Sequence, residues 1–187
     1  MRRYLWMVGL FAAVMLVLGF PAPRVGLAAE RAGVMPSPAA DSMACPATAS
    51  LSELTRALDA AVSGPVGKNR DCMRALFTPE ARLTVITPKP DGTVALSALT
   101  LDEWIAYVKA ATVPAFEERQ VKVKTERFGH LAQLWSTYSL RMKPDGAPTV
   151  RGINSIQAAK IGGQWKIVGI AWQAETASEK LPPADLP

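Results

Sequence analysis

The chain has 187 residues, of which 49% are hydrophobic and 20% are charged, and this balance is typical of a folded domain. The formal net charge is +5, but Arg2, Arg3 and Arg24 lie in the first 29 residues, which contain no acidic residue. Beyond these residues no basic run is longer than a Lys-x-Lys alternation, so the sequence excludes a nucleic-acid-binding surface of the usual kind.

Residues 1–29 have the pattern of a secretory signal peptide. Arg2 and Arg3 precede an uncharged apolar run from Leu5 to Phe20, and small residues around Ala28 offer a cleavage site. The alternative is an uncleaved membrane anchor, for which the run is slightly shorter than the ~20 residues that span a bilayer. We expect cleavage, a periplasmic or secreted location, and no attachment to the membrane afterwards.

Residues 30–48 are rich in Pro, Ala and Ser and predict a flexible tether. Cys45 lies in this tether, and Cys72 is the only other cysteine. Two cysteines in an exported chain indicate a disulfide, while the alternative is two free thiols. Because His130 is the only histidine and the cysteines lack finger-like spacing, the sequence predicts no metal site. It also lacks a Gly-rich phosphate loop, so we predict no cofactor.

Three helices are predicted before the C-terminal half of the chain. Ser50 to Glu53 and Thr100 to Glu103 are capping boxes, each followed by apolar residues at helical spacing. A shorter helix begins near Asn69. Between the second and third helices, two β-rich segments flank Pro88 to Gly92 and predict a small hairpin.

Residues 121–175 predict an antiparallel meander of four strands. The β-rich segments VKVKTE, LAQLWSTYSLRM, TVRGINSIQAAKI and QWKIVGIAWQAE are separated by Phe128-Gly129-His130, Pro144-Asp145-Gly146 and Gly162-Gly163. These glycines and the proline supply the backbone angles that tight reversals need. Helices on one face of an antiparallel sheet form an α+β layer architecture.

Three segments resemble the nuclear transport factor 2-like superfamily, which includes SnoaL-like cyclases and ketosteroid isomerase: Asp71 to Leu83, Arg127 to Tyr138 and Arg151 to Glu175. Within it, the chain is similar to small exported bacterial proteins of undefined activity. The resemblance implies a cystatin-like cone at residues 49–176, in which three N-terminal helices pack on a strongly curved antiparallel sheet around a pocket, and often a homodimer. Residues 177–187 are then expected to be a disordered tail.

The predicted strand register assigns residues to two faces. A two-residue turn at Gly162-Gly163 pairs Asn154 with Ala171, and the preceding hairpin sets Tyr138 beside Asn154. One face is then rich in small residues, as in a pocket lining, and the predicted ligand-binding residues are Tyr138, Asn154 and Gln173, with Trp104 and Tyr107 from the third helix. The other face carries bulky side chains suited to a dimer interface, namely Trp135, Ile153, Ile170 and Trp172. A single β-bulge would exchange part of this assignment.

Three functions are compatible with these residues. The first is a non-catalytic exported domain that binds a small, mostly apolar ligand in the cone. The second is an isomerase, dehydratase or cyclase, which would need a carboxylate or histidine in the pocket. Because no acidic residue is expected mid-strand on the small-residue face and His130 is expected in a solvated turn, we predict no catalytic residue. The third is a dimeric interaction module whose cone is filled by its own side chains.

Overall fold

The computed structural model describes residues 45–143 and 146–187. The predicted signal peptide and most of the tether lie outside them. Among the described residues, no helix is long and apolar enough to cross a membrane. The α-helices are α1 (Leu51–Val62), α2 (Asp71–Leu76) and α3 (Leu101–Lys109), and the strands are β1 (Gly64–Pro65), β2 (Phe77–Pro88), β3 (Val94–Leu99), β4 (Ala115–Phe128), β5 (Leu131–Arg141), β6 (Val150–Ile161) and β7 (Gln164–Ala174).

Both predicted capping boxes are present. The hydroxyls of Ser50 and Thr100 accept hydrogen bonds from the backbone N–H of Glu53 and Glu103, whose side chains bond back to the cap residues. Each box satisfies N–H groups that a helix start leaves unpaired, which explains why α1 and α3 begin where the sequence predicts.

The seven strands form one sheet in the order β1-β4-β5-β6-β7-β2-β3. The predicted meander from β4 to β7 and the hairpin of β2 with β3 are antiparallel, but β2 pairs with β7 in parallel, against the prediction of a wholly antiparallel sheet. These two strands come from distant parts of the chain, so no hairpin constrains their relative direction.

One face of the sheet packs against α1 and is called the helix face. Leu54 and Leu58 of α1 share a buried cluster with Leu134 of β5, Ile156 of β6 and Ile167 of β7. The other side, called the outer face, carries Trp135, Thr137 and Ile153. The core therefore lies between the helices and the helix face, as an α+β layer fold requires.

A β-bulge in β7 changes the predicted faces. Ala158 pairs with Ile167 but Gln157 pairs with Gly169, so Val168 is an extra residue. Beyond it, Asn154 lies opposite Trp172 and not Ala171. Because the side-chain period of a strand is two, one extra residue moves every later side chain of β7 to the other face.

The start of the described chain is held at two points. Cys45 and Cys72 form the predicted disulfide. Three residues after Cys45, the carbonyl of Thr48 accepts a hydrogen bond from the backbone N–H of Trp165 at 2.8 Å, and the Thr48 hydroxyl donates to the Trp165 carbonyl at 2.8 Å. The last residues of the predicted tether are therefore attached to both α2 and β7.

Residues 176–186 run over the outer face. The carboxylate of Asp185 pairs with Lys124, its carbonyl accepts a hydrogen bond from the Thr137 hydroxyl at 2.6 Å, and the Leu186 carbonyl accepts one from Lys122 at 2.6 Å. This placement differs from the prediction of a disordered tail. Polar groups of β4 and β5 supply bonding partners that the tail sequence does not reveal.

Candidate functional site

Two of the five predicted ligand-binding residues lie together on the helix face. Tyr138 and Asn154 are each 4% exposed and occupy neighbouring strands. Tyr138 is opposite Gly152, and Asn154 is opposite Ser136. The register differs by two residues from the predicted one, in which Tyr138 lies beside Asn154, and a shift of two keeps both side chains on the same face.

The other three predicted ligand-binding residues lie elsewhere. The bulge in β7 places Gln173 on the outer face, where its amide donates to Glu179. Trp104 is half-buried on α3 with the guanidinium of Arg70 5.9 Å from its ring centroid. Tyr107 is half-buried, and burial raises the pKa of its hydroxyl.

The predicted interface residues are divided between the two faces. Trp135 and Ile153 lie on the outer face, whereas Ile170 pairs with Ile156 and Trp172 pairs with Asn154 on the helix face. Ile170 and Trp172 pack against the core. The four residues therefore do not form one surface, because the prediction extends a strict alternation through the bulge.

A polar cluster surrounds Tyr138 and Asn154. The Asn154 side-chain amide donates to the carboxyl of Glu118 and to the side-chain carbonyl of Gln120, both at 3.2 Å. The Gln120 amide donates to the same Glu118 carboxyl at 3.2 Å. We call the whole group the helix-face cluster: Asp59, Glu118, Gln120, Ser136, Tyr138 and Asn154.

The first residues of β4 bring Glu118 and Gln120 to this position. The Ser63 hydroxyl, at the end of α1, accepts from the Glu118 N–H at 2.9 Å and donates to the Glu118 carbonyl at 3.0 Å. One turn earlier, the carboxylate of Asp59 accepts the Gln120 N–H at 3.0 and 3.2 Å. A bulge after Gln120 then shifts the register of β4. The end of α1 thus supplies the bonding partners that the edge of the sheet lacks at this point.

Both carboxyl groups of the cluster have raised pKa values. Burial raises the pKa of Glu118 to about 7, and the Asp59 charge adds to the effect, against the hydrogen bonds from Asn154 and Gln120. Burial likewise raises the pKa of Asp59 to about 6, opposed by the N–H of Gln120 and the charge of Arg119. Glu118 is only half-buried. It can therefore exchange protons with solvent near neutral pH.

Tyr138 has the hydroxyl of this cluster that remains open to a partner. Its oxygen forms no hydrogen bond with the residues that the structure describes. Burial, and after it the charge of Glu118, raises the pKa of Tyr138, so the hydroxyl stays protonated and can donate. Among the described residues, the buried side-chain polar atom without a partner is Arg70 Nε and not the Tyr138 oxygen.

Tyr138 and Asn154 do not line either of the two clefts described next. A cleft of about 250 Å³ on the outer face is lined by Trp135, Ile153 and Leu181, among others. A smaller one, of about 110 Å³, lies between α1 and α2 beside Arg70. The outer-face cleft therefore competes with the helix-face cluster as a place for a ligand.

Sequence reasoning missed Glu118 and Asp59. Glu118 contradicts the expectation that no acidic residue lies mid-strand on this face. The sequence does contain a signal for Glu118. Phe116, Glu118 and Gln120 recur at every second position directly after Pro114, and this pattern places the start of the strand before the predicted Val121. The expectation for His130 agrees with the structure, where it is exposed in a turn.

The chain is similar in fold to solved structures. A protein of unknown function with a cystatin-like fold from Nostoc punctiforme matches with a TM-score of 0.53 and 14% identity, over 68% of this chain and 90% of that one. The S. rosetta CaMKII hub matches with a TM-score of 0.48 and 19% identity over 70% and 98% of the two chains. An NTF-2 like protein of unknown function from Silicibacter pomeroyi matches with a TM-score of 0.44 and 17% identity over 67% and 92%.

No protein-family model and no curated protein sequence matches the chain. The likeness is thus one of fold. It agrees with the predicted cystatin-like fold, a sheet with helices on one face.

Proposed function

We propose that this protein binds a small, mostly apolar ligand at the helix-face cluster, with Tyr138 as the hydrogen-bond donor to it. The observation that carries the proposal is the position of the Tyr138 hydroxyl, which forms no hydrogen bond with another described residue and lies on the same face as Asn154 and Glu118. A hydroxyl that no protein group binds can donate its hydrogen bond to an acceptor atom of a ligand.

The surroundings of the cluster suggest the class of ligand. Phe116 lies two residues before Glu118 on the same face of β4, and Trp172 lies opposite Asn154. Both are partly buried against the core. A ligand with a carbonyl or ether oxygen for Tyr138 and an apolar body beside these aromatic rings would match the cluster.

We also propose that the protein acts outside the cytoplasm. The pattern of residues 1–29 supports export. The disulfide between Cys45 and Cys72 is consistent with an oxidising compartment.

Native mass spectrometry of the full chain, purified from its own cells, tests the binding proposal. We expect a bound mass that denaturation releases, and Tyr138→Phe should weaken its retention up to about tenfold through the loss of one hydrogen bond. Trp135→Ala is the matched control because Trp135 lines the outer-face cleft. Loss of the ligand with Trp135→Ala and full retention with Tyr138→Phe would assign it to the outer-face cleft and refute the proposal.

Glu118 favours a second candidate function, proton transfer on the bound ligand. A carboxyl with a pKa of about 7 is suited to take up and return a proton near neutral pH. In this scheme the Glu118 carboxylate removes a proton from a carbon next to the ligand carbonyl. Tyr138 donates a hydrogen bond to that carbonyl oxygen, and Glu118 then returns the proton to another carbon.

Solvent deuterium separates the two functions. If the protein is an enzyme of this kind, the co-purified molecule gains deuterium when it is incubated with the chain in heavy water, and Glu118→Gln abolishes the gain without abolishing retention. Retention with no gain of deuterium at any pH between 5 and 9 would leave binding as the function.

A further inference from the structure

Two hairpin turns lie side by side at one end of the sheet, which we call the turn end. Gly129-His130 joins β4 to β5, and Gly162-Gly163 joins β6 to β7. The backbone N–H of Lys160 donates a hydrogen bond to the His130 carbonyl at 2.8 Å, so the two hairpins are in contact. The turn end is therefore formed by two neighbouring hairpins.

Three large apolar side chains are exposed at the turn end, and we call them the apolar patch: Phe128, Leu131 and Ile161, which are 86%, 58% and 52% exposed. Phe128 pairs with Leu131, and Leu131 pairs with Ala159, two residues before Ile161. Directly paired residues, and residues two apart on one strand, share a face of the sheet. The three side chains thus lie together on the outer face, on three adjacent strands.

Two cations flank the apolar patch. The guanidinium of Arg127 lies 5.3 Å from the ring centroid of Trp165, and the ammonium of Lys160 lies 6.0 Å from it. This contact with one buried ring fixes both charges at the turn end. The ion pairs among the described residues include neither cation. Each cation directly precedes a residue of the patch in the sequence.

This combination of groups fits the surface of an anionic membrane. Residues 127–131 and 159–164 contain no acidic residue. The apolar patch lines neither of the two clefts, so it does not enclose a small molecule. Exposed apolar side chains beside Lys and Arg enter the boundary between headgroups and acyl chains, while the cations stay with the anionic headgroups. Lysine is, by contrast, depleted at interfaces between proteins.

The described chain also begins at the turn end. Thr48 is hydrogen-bonded to the backbone of Trp165, whose ring contacts both cations. The preceding residues 1–44 contain the predicted signal peptide with its apolar run from Leu5 to Phe20. On the predicted export route, that run is at the membrane until cleavage and is joined to the domain at this end. The turn end is thus the part of the domain that export brings to the bilayer first.

We propose that the turn end docks reversibly on a bilayer with anionic headgroups, with the apolar patch between the lipids and Arg127 and Lys160 at headgroup level. The sequence predicts no attachment once the signal peptide is cleaved. The proposed contact replaces that expectation, because it uses only residues that cleavage leaves in place. It is independent of the proposed ligand, since it involves no residue of the helix-face cluster.

Sedimentation with lipid vesicles tests the docking. The chain is used without residues 1–29, whose apolar run would bind vesicles by itself, and all described helices and strands lie beyond the removed residues. We expect it to sediment with vesicles of equal parts phosphatidylcholine and phosphatidylglycerol. Vesicles of phosphatidylcholine alone should bind about tenfold more weakly, because each cation near an anionic surface contributes to binding. Salt at about 0.5 M should weaken the binding to the anionic vesicles, because it screens exposed charges.

Single substitutions locate the contact. Phe128→Ser should weaken binding about tenfold, because the ring no longer enters the bilayer. The matched control is Leu96→Ser on β3, where the side chain is 69% exposed and lies away from the turn end, and it should leave binding unchanged. Glu126→Gln removes an exposed negative charge two residues before Phe128 and should tighten binding. An unchanged melting temperature will show that each variant is folded.

Four results would overturn the proposal. They are a chain that does not sediment with anionic vesicles, equal binding to both kinds of vesicle, equal losses with Phe128→Ser and Leu96→Ser, and a mass in lipid-free light scattering that falls with Phe128→Ser. The last result would assign the apolar patch to a contact between copies of the chain. Vesicle binding by a chain that retains no ligand would uphold the docking while the proposed function fails.

Discussion

Gly152 provides a sharp test of how the helix-face cluster is packed. A Cβ atom at this position would lie 2.2 Å from the carbonyl oxygen of Gln173 and 2.7 Å from both Cε1 and Oη of Tyr138. The Tyr138 ring can rotate or shift, but the carbonyl belongs to the neighbouring strand β7 and cannot move without disturbing its pairing with β6. Overpacking costs about 1–3 kcal/mol, and contact with backbone places Gly152→Ala at or above the upper end, at about 3 kcal/mol.

Urea unfolding followed by circular dichroism measures this cost. The matched control is Gly169→Ala on β7, where the nearest atom to the added Cβ is the Arg82 carbonyl oxygen at an ordinary 3.8 Å. We expect the control to stay within about 0.5 kcal/mol of the unchanged protein, as is usual for a substitution that disturbs no packing. If Gly152→Ala also stays within that margin, the argument from close contact is refuted.

A double variant shows which contact matters more. Tyr138→Ala removes the ring but leaves the Gln173 carbonyl in place. If the carbonyl dominates, as we expect, Gly152→Ala costs the same in the presence and absence of the ring. A cost that disappears in the Tyr138→Ala background would assign the strain to the ring instead.

Three other outcomes follow from the structure. The pKa of Glu118 is raised from 4.5 to about 7, so this carboxyl binds a proton more readily in the folded protein than in the unfolded one. Its contribution to the unfolding free energy should fall by about 2–3 kcal/mol as pH rises from 4.5 to 8. Asp59, whose pKa is raised to about 6, acts in the same direction, so Glu118→Gln should make the profile less steep but leave the Asp59 part. Asp59→Ala leaves the Gln120 N–H without its acceptor and should cost about 1–3 kcal/mol in urea unfolding, whereas Asp59→Asn should cost less. Replacing Cys45 and Cys72 by Ala together opens a loop with a sequence separation of 27 and should cost about 3.5 kcal/mol in the chain-entropy model; a change below about 1 kcal/mol would contradict this.

Local signals predicted the elements whose causes are local. The capping boxes at Ser50 and Thr100 place the starts of α1 and α3, and Gly162-Gly163 places the last hairpin with Ile161 opposite Gln164. In each case a few neighbouring residues provide the hydrogen bonds or the backbone angles. The positive φ angles of both glycines, 56° and 80°, are the values that such a turn needs.

The sequence predicted only part of the candidate site. Tyr138 and Asn154 were predicted on one face, and they lie there, because both precede the bulge and a register shift of two does not change the face. Gln173, Ile170 and Trp172 follow the bulge, so each of them lies on the face of the sheet opposite to the predicted one. No residue near Val168 in the sequence predicts a bulge there. Burying Ile170 and Trp172 against the core favours the extra residue, and that contact is made only in the folded protein.

Composition, periodicity and turn residues thus determined which segments are helices and strands, the order of the meander and the pairing of the two cysteines. The tertiary structure alone decided the parallel contact of β2 with β7, the bulge in β7, the course of residues 176–186 and the meeting of Asp59 and Glu118 with Asn154. The physical reason is the distance along the chain over which each cause acts. A cap or a turn is stabilised by residues within a few positions, whereas the pKa of Glu118 and the face of Gln173 depend on side chains many positions away.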